Sequence, residues 1–211
     1  MKIPFYPNHP DGTYCYQSTL KMVLKHCTGK EYSLQELARE TGKLEGKWTW
    51  PTTSFLWLMR NGFEIRLMED FSYEEFANRG KEYLAEHSGQ EVADAQEKHS
   101  DLPREQKIAL QFVAQSKLVL SQKIPTWEDL KRLFKEGYLI ICNINANLLF
   151  EMQGYSGHFV LLTDINDEKL VLHDPGLPPR PFVSVSKKTF EKAWGYPTER
   201  SRNILAIKKE Q

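Results

Sequence analysis

The sequence predicts an α+β fold, because helical patterns fill the first two thirds of the chain and strand patterns the last third. Apolar residues recur at helical spacing from about residue 14 to residue 135, and short apolar or alternating runs follow residue 138. Alternating βαβ units would interleave the two patterns, so a doubly wound parallel sheet is not expected. At 211 residues, a single domain spanning 1–211 is the prediction.

Composition argues against several classes of function. Lys plus Arg and Asp plus Glu both number 28, so no overall field favours nucleic acid or an anionic membrane. The apolar runs are too short to span a bilayer, and Met1–Pro7 lacks the apolar run of a signal peptide. The three cysteines have no metal-type spacing. We therefore expect a cytoplasmic protein without a metal or cofactor, although a secreted form whose signal has been removed stays open.

The N-terminal third contains a cysteine at the start of a helix. Residues 3–10 contain three prolines and should be extended, and the helix should run from Tyr14 to about His26 with Thr13 as its N-cap. Cys15 then lies in the first turn, where the helix dipole favours a thiolate. Gln17 is expected on the helix surface.

Two further helices and a strand should follow this one. Ser33 and Glu36 form a capping box, and Pro51 begins a helix that ends at Asn61-Gly62, before a short strand over 63–68. Trp48 and Trp50 lie in the preceding loop. They suit a substrate cleft or, more commonly, an aromatic core.

Residues 72–122 are charged and helical in pattern, and we interpret them as a helical insertion. Its clearest helix begins at Pro103 and is expected to bury apolar residues at helical spacing, namely Ile108, Phe112, Val113 and Val119. The stretch 86–101 has few apolar residues, which is typical of a mobile segment. The insertion is a candidate docking surface for a protein partner.

The last third supplies strands that can hold a catalytic pair. Thr126 and Asp129 form an acidic capping box, and the strongly apolar run 138–144 predicts a strand. His158 opens the next strand, and Asp174 closes the one after it. Two adjacent antiparallel strands would present both side chains at one end of a sheet. A half-exposed strand over 182–185, a helix capped by Ser186 and a last strand over 204–207 complete the chain.

Cys15, His158 and Asp174 are the groups that thiol chemistry requires. An imidazolium and a helix N-terminus lower the pKa of a thiol from about 8.5, and a carboxylate fixes the orientation and tautomer of the ring. Taken singly, each residue has a common structural role: a helical cysteine packs in a core, a histidine ends a strand, and an aspartate before Pro-Gly forms a turn. His173 beside Asp174 resembles a metal pair, but adjacent strand residues face opposite sides.

The sequence resembles the papain-like cysteine peptidases of the bacteriocin-processing, double-glycine leader type, and more closely their stand-alone C39-like relatives. The resemblance rests on motifs in family order, which are Ile3–Pro7, Cys15 heading a helix that ends in Met22-Val23-Leu24, Asp129-Leu130 before Gly137, Gly157–Leu162, and His173-Asp174-Pro175. It covers roughly 3–70 and 124–195. It implies a papain-like fold, with Cys15 as nucleophile, His158 as general base and acid, and Asp174 as the orienting carboxylate.

Two positions depart from the family pattern. The family usually has a glutamine about six residues before the cysteine as oxyanion donor, whereas this chain offers Asn8 at minus seven and His9 at minus six. Asn8 is the tentative donor. The family also tends to have glycine directly after the cysteine, where this chain has Tyr16.

The leading prediction is a cysteine-dependent peptidase or amidohydrolase that acts on a peptide or amide substrate. Acyl transfer to an amine in place of water needs the same three groups, and the sequence does not separate the two outcomes. The alternative, motivated by the two departures, is a catalytically degenerate module that binds a peptide or protein partner.

Overall fold

A computed structural model describes residues 3–115 and 119–210, and within them the chain is a mixed α+β protein, as predicted. Most of the described helices lie in the first two thirds of the chain. They are α1 (Cys15–Thr28), α2 (Leu34–Glu40), α3 (Thr52–Arg60), α4 (Tyr73–Arg79), α5 (Lys81–Ser88), α6 (Gln90–His99), α7 (Leu102–Val113), α8 (Trp127–Lys135), α9 (Ala146–Leu149) and α10 (Lys187–Trp194). The strands are β1 (Phe63–Glu69), β2 (Val119–Gln122), β3 (Leu139–Asn145), β4 (Gly157–Ile165), β5 (Lys169–Asp174), β6 (Arg180–Ser186) and β7 (Asn203–Lys209).

The described strands form one sheet in the order β2-β1-β7-β3-β4-β5-β6. Only the β1–β2 pair is parallel, and the other pairs are antiparallel. β7, which comes last in the chain, lies between β1 and β3, so it joins the strand of the N-terminal half to those of the C-terminal half. The described strands of both halves of the chain therefore belong to one sheet.

Two apolar cores lie on the two faces of this sheet. α1, α3 and the helices of the insertion pack on one face, and the buried residues there include Leu20, Phe55 and Ile65. α8 and α10 pack on the other face, against Ile140, Val160 and other alternate strand residues. Alternating strand residues thus bury both faces.

The capping residues read from the sequence are mostly confirmed. Ser33 and Thr126 form complete capping boxes, and the Ser186 hydroxyl caps α10. Thr13 as N-cap of α1 was wrong: Tyr14 occupies that position without a side-chain cap. The Thr13 hydroxyl instead donates to Asp11 Oδ1 at 3.0 Å. This local hydrogen bond to the preceding turn takes the place of a cap on the helix.

The predicted insertion is helical from α4 to α7, but its end differs from expectation. Val119–Gln122 forms β2, so Val119 is exposed on an edge strand, and Val113 is also exposed. Of the four predicted core residues, Phe112 is fully buried and Ile108 is half-buried. The stretch 86–101 is largely helical and buries Val92 and Ala93. Residues 116–118 of the predicted insertion lie outside the described residues.

Candidate active site

Cys15 is the first residue of α1, as the sequence predicted. Its sulfur accepts hydrogen bonds from the backbone N–H groups of Tyr16 and Phe159 and shares one with the His158 side chain. The residue is partly exposed and lines a cavity. Because the helix starts here, its unpaired N–H groups and its dipole both favour negative charge at this sulfur.

His158 and Asp174 form a buried hydrogen-bonded pair beside the thiol. His158 Nε2 lies 2.6 Å from Asp174 Oδ1, and the two side chains are only 9% and 3% exposed. This bond uses Nε2, which leaves Nδ1 as the ring nitrogen for Cys15. β4 and β5 are antiparallel neighbours, so the start of one strand and the end of the other meet at the same edge of the sheet.

The surroundings of Asp174 hold its carboxylate in place. Oδ1 also accepts the backbone N–H of Gly176 at 2.8 Å, and Arg180 Nη1 lies 3.5 Å from Oδ2. Arg180 itself stacks over the ring of Phe150, with its guanidinium carbon 3.7 Å from the ring centroid. A Cβ at Gly176 would come within 2.8 Å of Asp174 Oδ1 and 3.3 Å of His158 Nε2. Only glycine therefore fits against this pair.

The pKa shifts of the three groups agree with an ion-paired site. Burial opposes the thiolate of Cys15, but the hydrogen bond and positive charge of His158 outweigh it and lower the pKa of the thiol. Burial likewise opposes the imidazolium, but the bonds to Asp174 and Cys15 raise the pKa of His158. The pKa of Asp174 is lowered because its bond to His158 overcomes its desolvation. Thiolate, imidazolium and carboxylate are the forms favoured together.

Asn8 lies beside the site, where it organises the loop that leads into α1. Its Oδ1 accepts the backbone N–H groups of His9 and Tyr14, both at 2.8 Å, and its Nδ2 donates to Gly12 O at 3.0 Å. Its own N–H donates to the carbonyl of Pro175, the residue after Asp174. One Nδ2 proton is therefore committed to the loop. Whether Asn8 donates to an oxyanion stays a prediction.

His9, at the position of the missing glutamine, and Tyr16, directly after the cysteine, lie in different surroundings. The His9 ring is 43% exposed and pairs with Asp11. Tyr16 is 1% exposed, packs on Phe159 and hydrogen-bonds the Ser54 hydroxyl. The bulk of Tyr16 thus fills the core between α1, α3 and β4.

A cavity of about 220 Å³ extends from Cys15 across the sheet end. Trp48 and Trp50 both line it, together with residues of α5 and α6 such as His87, Val92 and Gln96. The Trp50 ring also packs against the core and stacks on Phe76, so the aromatic-core role expected for it is present as well. Trp50 Nε1 also donates to Gln96 Oε1 at 3.0 Å, which ties the loop to the insertion. The helical insertion is therefore one wall of the cleft that opens at the thiol.

Gln17 and His173, the neighbours of the site in sequence, form hydrogen bonds to other parts of the chain. The surface position expected for Gln17 was wrong: it is fully buried, and Nε2 donates to the hydroxyls of Thr41 and Thr49. His173 points away from Asp174, as strand alternation requires, and its Nε2 bonds Ile3 O at 3.2 Å. Across residues 3–115 and 119–210, no group of three or more His, Cys, Asp or Glu side chains is arranged to hold a metal.

Sequence reasoning missed several residues that shape the site. Gly176 and Arg180, which both bond the Asp174 carboxylate, follow it closely in the sequence. The Pro-Gly turn after the strand could have indicated the position of Gly176. Asn145, whose side chain binds Gly154 O and the N–H of Ser156, shapes the loop before His158. Glu69, at the end of β1, lines the cavity although it is far from Cys15 in sequence. Only the sheet order brings it there.

Comparison with known proteins gives a fold match without a sequence match. No family model matches the chain, and no curated protein matches it significantly. Two solved structures are similar: the peptidase domain of Streptococcus ComA, a bifunctional ABC transporter involved in a quorum-sensing pathway, and a C39-like peptidase from Bacillus anthracis. The first has 15% identity, a TM-score of 0.51 and 99% coverage of both chains. The second has 17% identity, a TM-score of 0.47 and coverage of 99% of this chain and 96% of that one.

None of the described helices is both long and apolar enough to cross a membrane. Within that part of the chain, the mixed α+β architecture and the similarity to the ComA peptidase domain over almost the whole length agree with the fold expected from the sequence. The fold of this chain is therefore similar to that of the ComA peptidase domain.

Proposed function

We propose that this protein is a cysteine-dependent peptidase or amidohydrolase. Cys15 is the nucleophile, His158 the general base and acid, and Asp174 the residue that orients His158. The substrate is a peptide or other amide that enters the cavity beside Cys15. The single observation that carries the proposal is the chain of hydrogen bonds from Cys15 through His158 to Asp174 at the mouth of that cavity.

The proposed reaction follows from these groups. The Cys15 thiolate attacks the carbonyl carbon, and the oxyanion that forms is stabilised by backbone N–H groups at the start of α1, with Asn8 as the proposed side-chain donor. The C–N bond then breaks as the His158 imidazolium protonates the leaving amine. His158 next takes a proton from water, the hydroxide attacks the thioester, and the carboxylic acid leaves while the thiolate is restored.

The pH dependence of iodoacetamide labelling tests the proposal, because only the thiolate reacts. We expect Cys15 to be labelled at pH 6, where an ordinary thiol with a pKa of about 8.5 is almost fully protonated. The His158→Ala variant should move the labelling profile of Cys15 to higher pH. Mass spectrometry of the labelled peptides separates Cys15 from the other two cysteines.

Cys27 and Cys142 serve as internal controls in the same sample. Burial raises the pKa of both thiols, and Cys142 is buried on the opposite face of the sheet. They should stay unlabelled at pH 6. A Cys15 profile that matches an ordinary thiol and ignores His158→Ala would refute the proposed nucleophile.

A second candidate function is peptide binding without cleavage. It is favoured by Asn8, because one proton of its side-chain amide is spent on Gly12 O inside the loop. In this case Cys15 would be unreactive at pH 6, and fluorescent peptides would still bind. Turnover of an amide library by the wild type and its loss in Cys15→Ala would exclude this candidate.

The insertion is proposed as a functional part of the protein in either case. Its helices α5 and α6 line the cleft, so it contacts substrate or a partner protein there. Changing Val92 and Gln96 to alanine would alter this wall of the cavity and leave the core residues of the insertion in place. We expect this double variant to weaken peptide binding while Cys15 keeps its low-pH labelling, and unchanged binding would show that this wall has no part in recognition.

A further inference from the structure

Glu69 is the acidic side chain on the wall of the cavity, as far as residues 3–115 and 119–210 show. It is the last residue of β1 and lies on the same face of the strand as Ile65 and Leu67, toward α1. The residue is half-buried, and its side chain lines the cavity. It therefore borders space that a ligand can occupy.

Glu69 has no positively charged partner within the described ranges. Its Oε1 accepts the Tyr73 hydroxyl at 2.6 Å, and no Lys, Arg or His is paired with it. Burial raises the pKa of Glu69 to about 7, and no nearby cation acts against that shift. A carboxylate in this position is stabilised by any cation that enters the cavity.

The cations that line the cavity are already neutralised by other groups. Arg200 Nε donates to Asp70 Oδ2 at 2.8 Å, and Arg202 Nη2 donates to Glu199 Oε1 at 2.7 Å. Burial lowers the pKa of His87, which favours its neutral form. Counting these pairs, Glu69 is the carboxyl group on the described cavity wall that has no cationic partner of its own.

Three aromatic rings line the same cavity, and the hydroxyl of one of them, Tyr73, bonds this carboxyl group. Tyr73 and Phe71 lie edge to face with ring centroids 4.9 Å apart, and Trp50 lies edge to face with Phe71 at 6.2 Å. All three rings line the cavity. A carboxylate beside ring faces is the combination that binds an ammonium or guanidinium group, through charge and cation–π attraction together.

The sheet register fixes how far Glu69 is from the thiol. Glu69 is paired with Asn203 of β7, the Asn203 side chain is bonded to the backbone of Asn143 in β3, and Asn143 is paired with Phe159 of β4. These are three strand spacings of about 4.8 Å, or about 14 Å in total. The backbone N–H of Phe159 contacts the Cys15 sulfur. An extended peptide covers 14 Å in about four residues.

We propose that Glu69, with the rings of Trp50, Phe71 and Tyr73, forms a subsite for a basic side chain of the substrate. The substrate class is a peptide that carries Lys or Arg about four residues from the bond that Cys15 attacks. This inference rests on the proposed function for the position of the scissile bond, but not for the existence of the cation subsite.

Two sets of peptide probes test the subsite. The first set consists of peptidyl chloromethyl ketones on a Gly/Ala background, with Lys, norleucine or Glu placed three, four or five residues from the reactive carbon. Each rate of Cys15 alkylation is divided by the iodoacetamide rate of the same protein. Norleucine keeps the aliphatic chain of lysine and lacks the charge, so the ratio of the two rates isolates the cation.

We expect the lysine probe to react about tenfold faster than the norleucine probe, as the usual strength of a charged hydrogen bond implies. In Glu69→Gln, which keeps the shape of the side chain, the ratio should fall to about two or less. The matched control is Glu64→Gln, on the same strand, where Glu64 bonds Tyr138 and Arg66 and does not line the cavity. It should keep the full preference. Equal rates for lysine and norleucine in the wild type, or an unchanged preference in Glu69→Gln, would overturn the subsite.

Direct binding separates failure of the subsite from failure of the catalytic proposal. Fluorescein-labelled lysine and norleucine peptides are titrated into Cys15→Ala and followed by anisotropy, which needs no reactive thiol. A lysine preference here, with an unreactive Cys15 in the wild type, would retain the subsite and reject the enzyme. Equal binding, or no binding of either peptide, would reject the subsite even if Cys15 proves to be activated.

Discussion

Replacing Glu105 with glutamine should make the protein more stable at pH 8 and leave its stability at pH 4.5 nearly unchanged. Glu105 lies in the first turn of α7, is 8% exposed, and accepts a bond from the Thr52 hydroxyl at 3.3 Å. Burial raises the pKa of this carboxyl from 4.5 to about 7, and the charge of Arg104 only partly opposes the shift.

The magnitude follows from the shift in pKa. Below pH 4.5, Glu105 is protonated in the folded and unfolded chains alike, so its ionisation does not affect stability. Above about pH 7, both states are ionised, and the folded state bears the cost of the buried charge. A shift of about 2.5 pKa units corresponds to about 3 kcal/mol. Because the folded pKa is raised, this cost develops as the pH rises from 4.5 to 7.

The assay is urea unfolding of the wild type and Glu105→Gln at pH 4.5, 6 and 8. We expect the variant to gain up to about 3 kcal/mol over the wild type at pH 8, or roughly 6 to 12 °C in Tm. The buried amide of Gln carries its own cost, but that cost does not depend on pH, so the change in the difference between pH 4.5 and 8 is the quantity to read.

Glu45→Gln is the matched control, because Glu45 is exposed in the loop before α3. It should shift stability by less than about 0.5 kcal/mol at every pH. A Glu105→Gln difference that is the same at pH 4.5 and pH 8 would refute the reasoning, since Glu105 would then be ionised in the folded protein at no cost.

Two further predictions concern the residues around the thiol. Gly176→Ala should weaken the contact between His158 and Asp174, because the new Cβ would lie 2.8 Å from Asp174 Oδ1. The labelling of Cys15 at low pH should then fall. An unchanged labelling profile would mean that the carboxylate does not orient the His158 ring. Asn8→Ala should lower stability by about 1 to 3 kcal/mol in thermal unfolding, because the loop before α1 loses three side-chain hydrogen bonds. A variant as stable as the wild type would contradict the role of Asn8 in holding that loop.

The elements that the sequence predicted best are those with local causes. Capping boxes at Ser33 and Thr126 need only residues three positions apart, and Cys15 begins a helix because Asp11-Gly12 turns the chain before it. The alternation and apolar runs around His158 and Asp174 fix the strands that carry them. Gln17 shows the limit of such local patterns. A polar residue on a helix is read as exposed, and only two threonines from distant segments make its burial possible.

The C-terminal end of the insertion was also not predictable from local sequence patterns. Val113 and Val119 continue the apolar spacing of α7, yet both are exposed, because the chain leaves the helix and adds β2 beside β1. Parallel pairing of β2 with β1 is a contact across more than fifty residues, and nothing in the periodicity of 103–122 encodes it.

The sequence by itself determined the fold class, the helix that begins at Cys15, the strand that opens with His158 and the strand that closes with Asp174, because all of these follow from periodicity and turn chemistry within short windows. The tertiary structure decided which side chains share the cleft. Glu69, Trp50 and the helices of the insertion meet there through the order of the strands, and strand order depends on the burial of both sheet faces. That burial is a property of the whole chain.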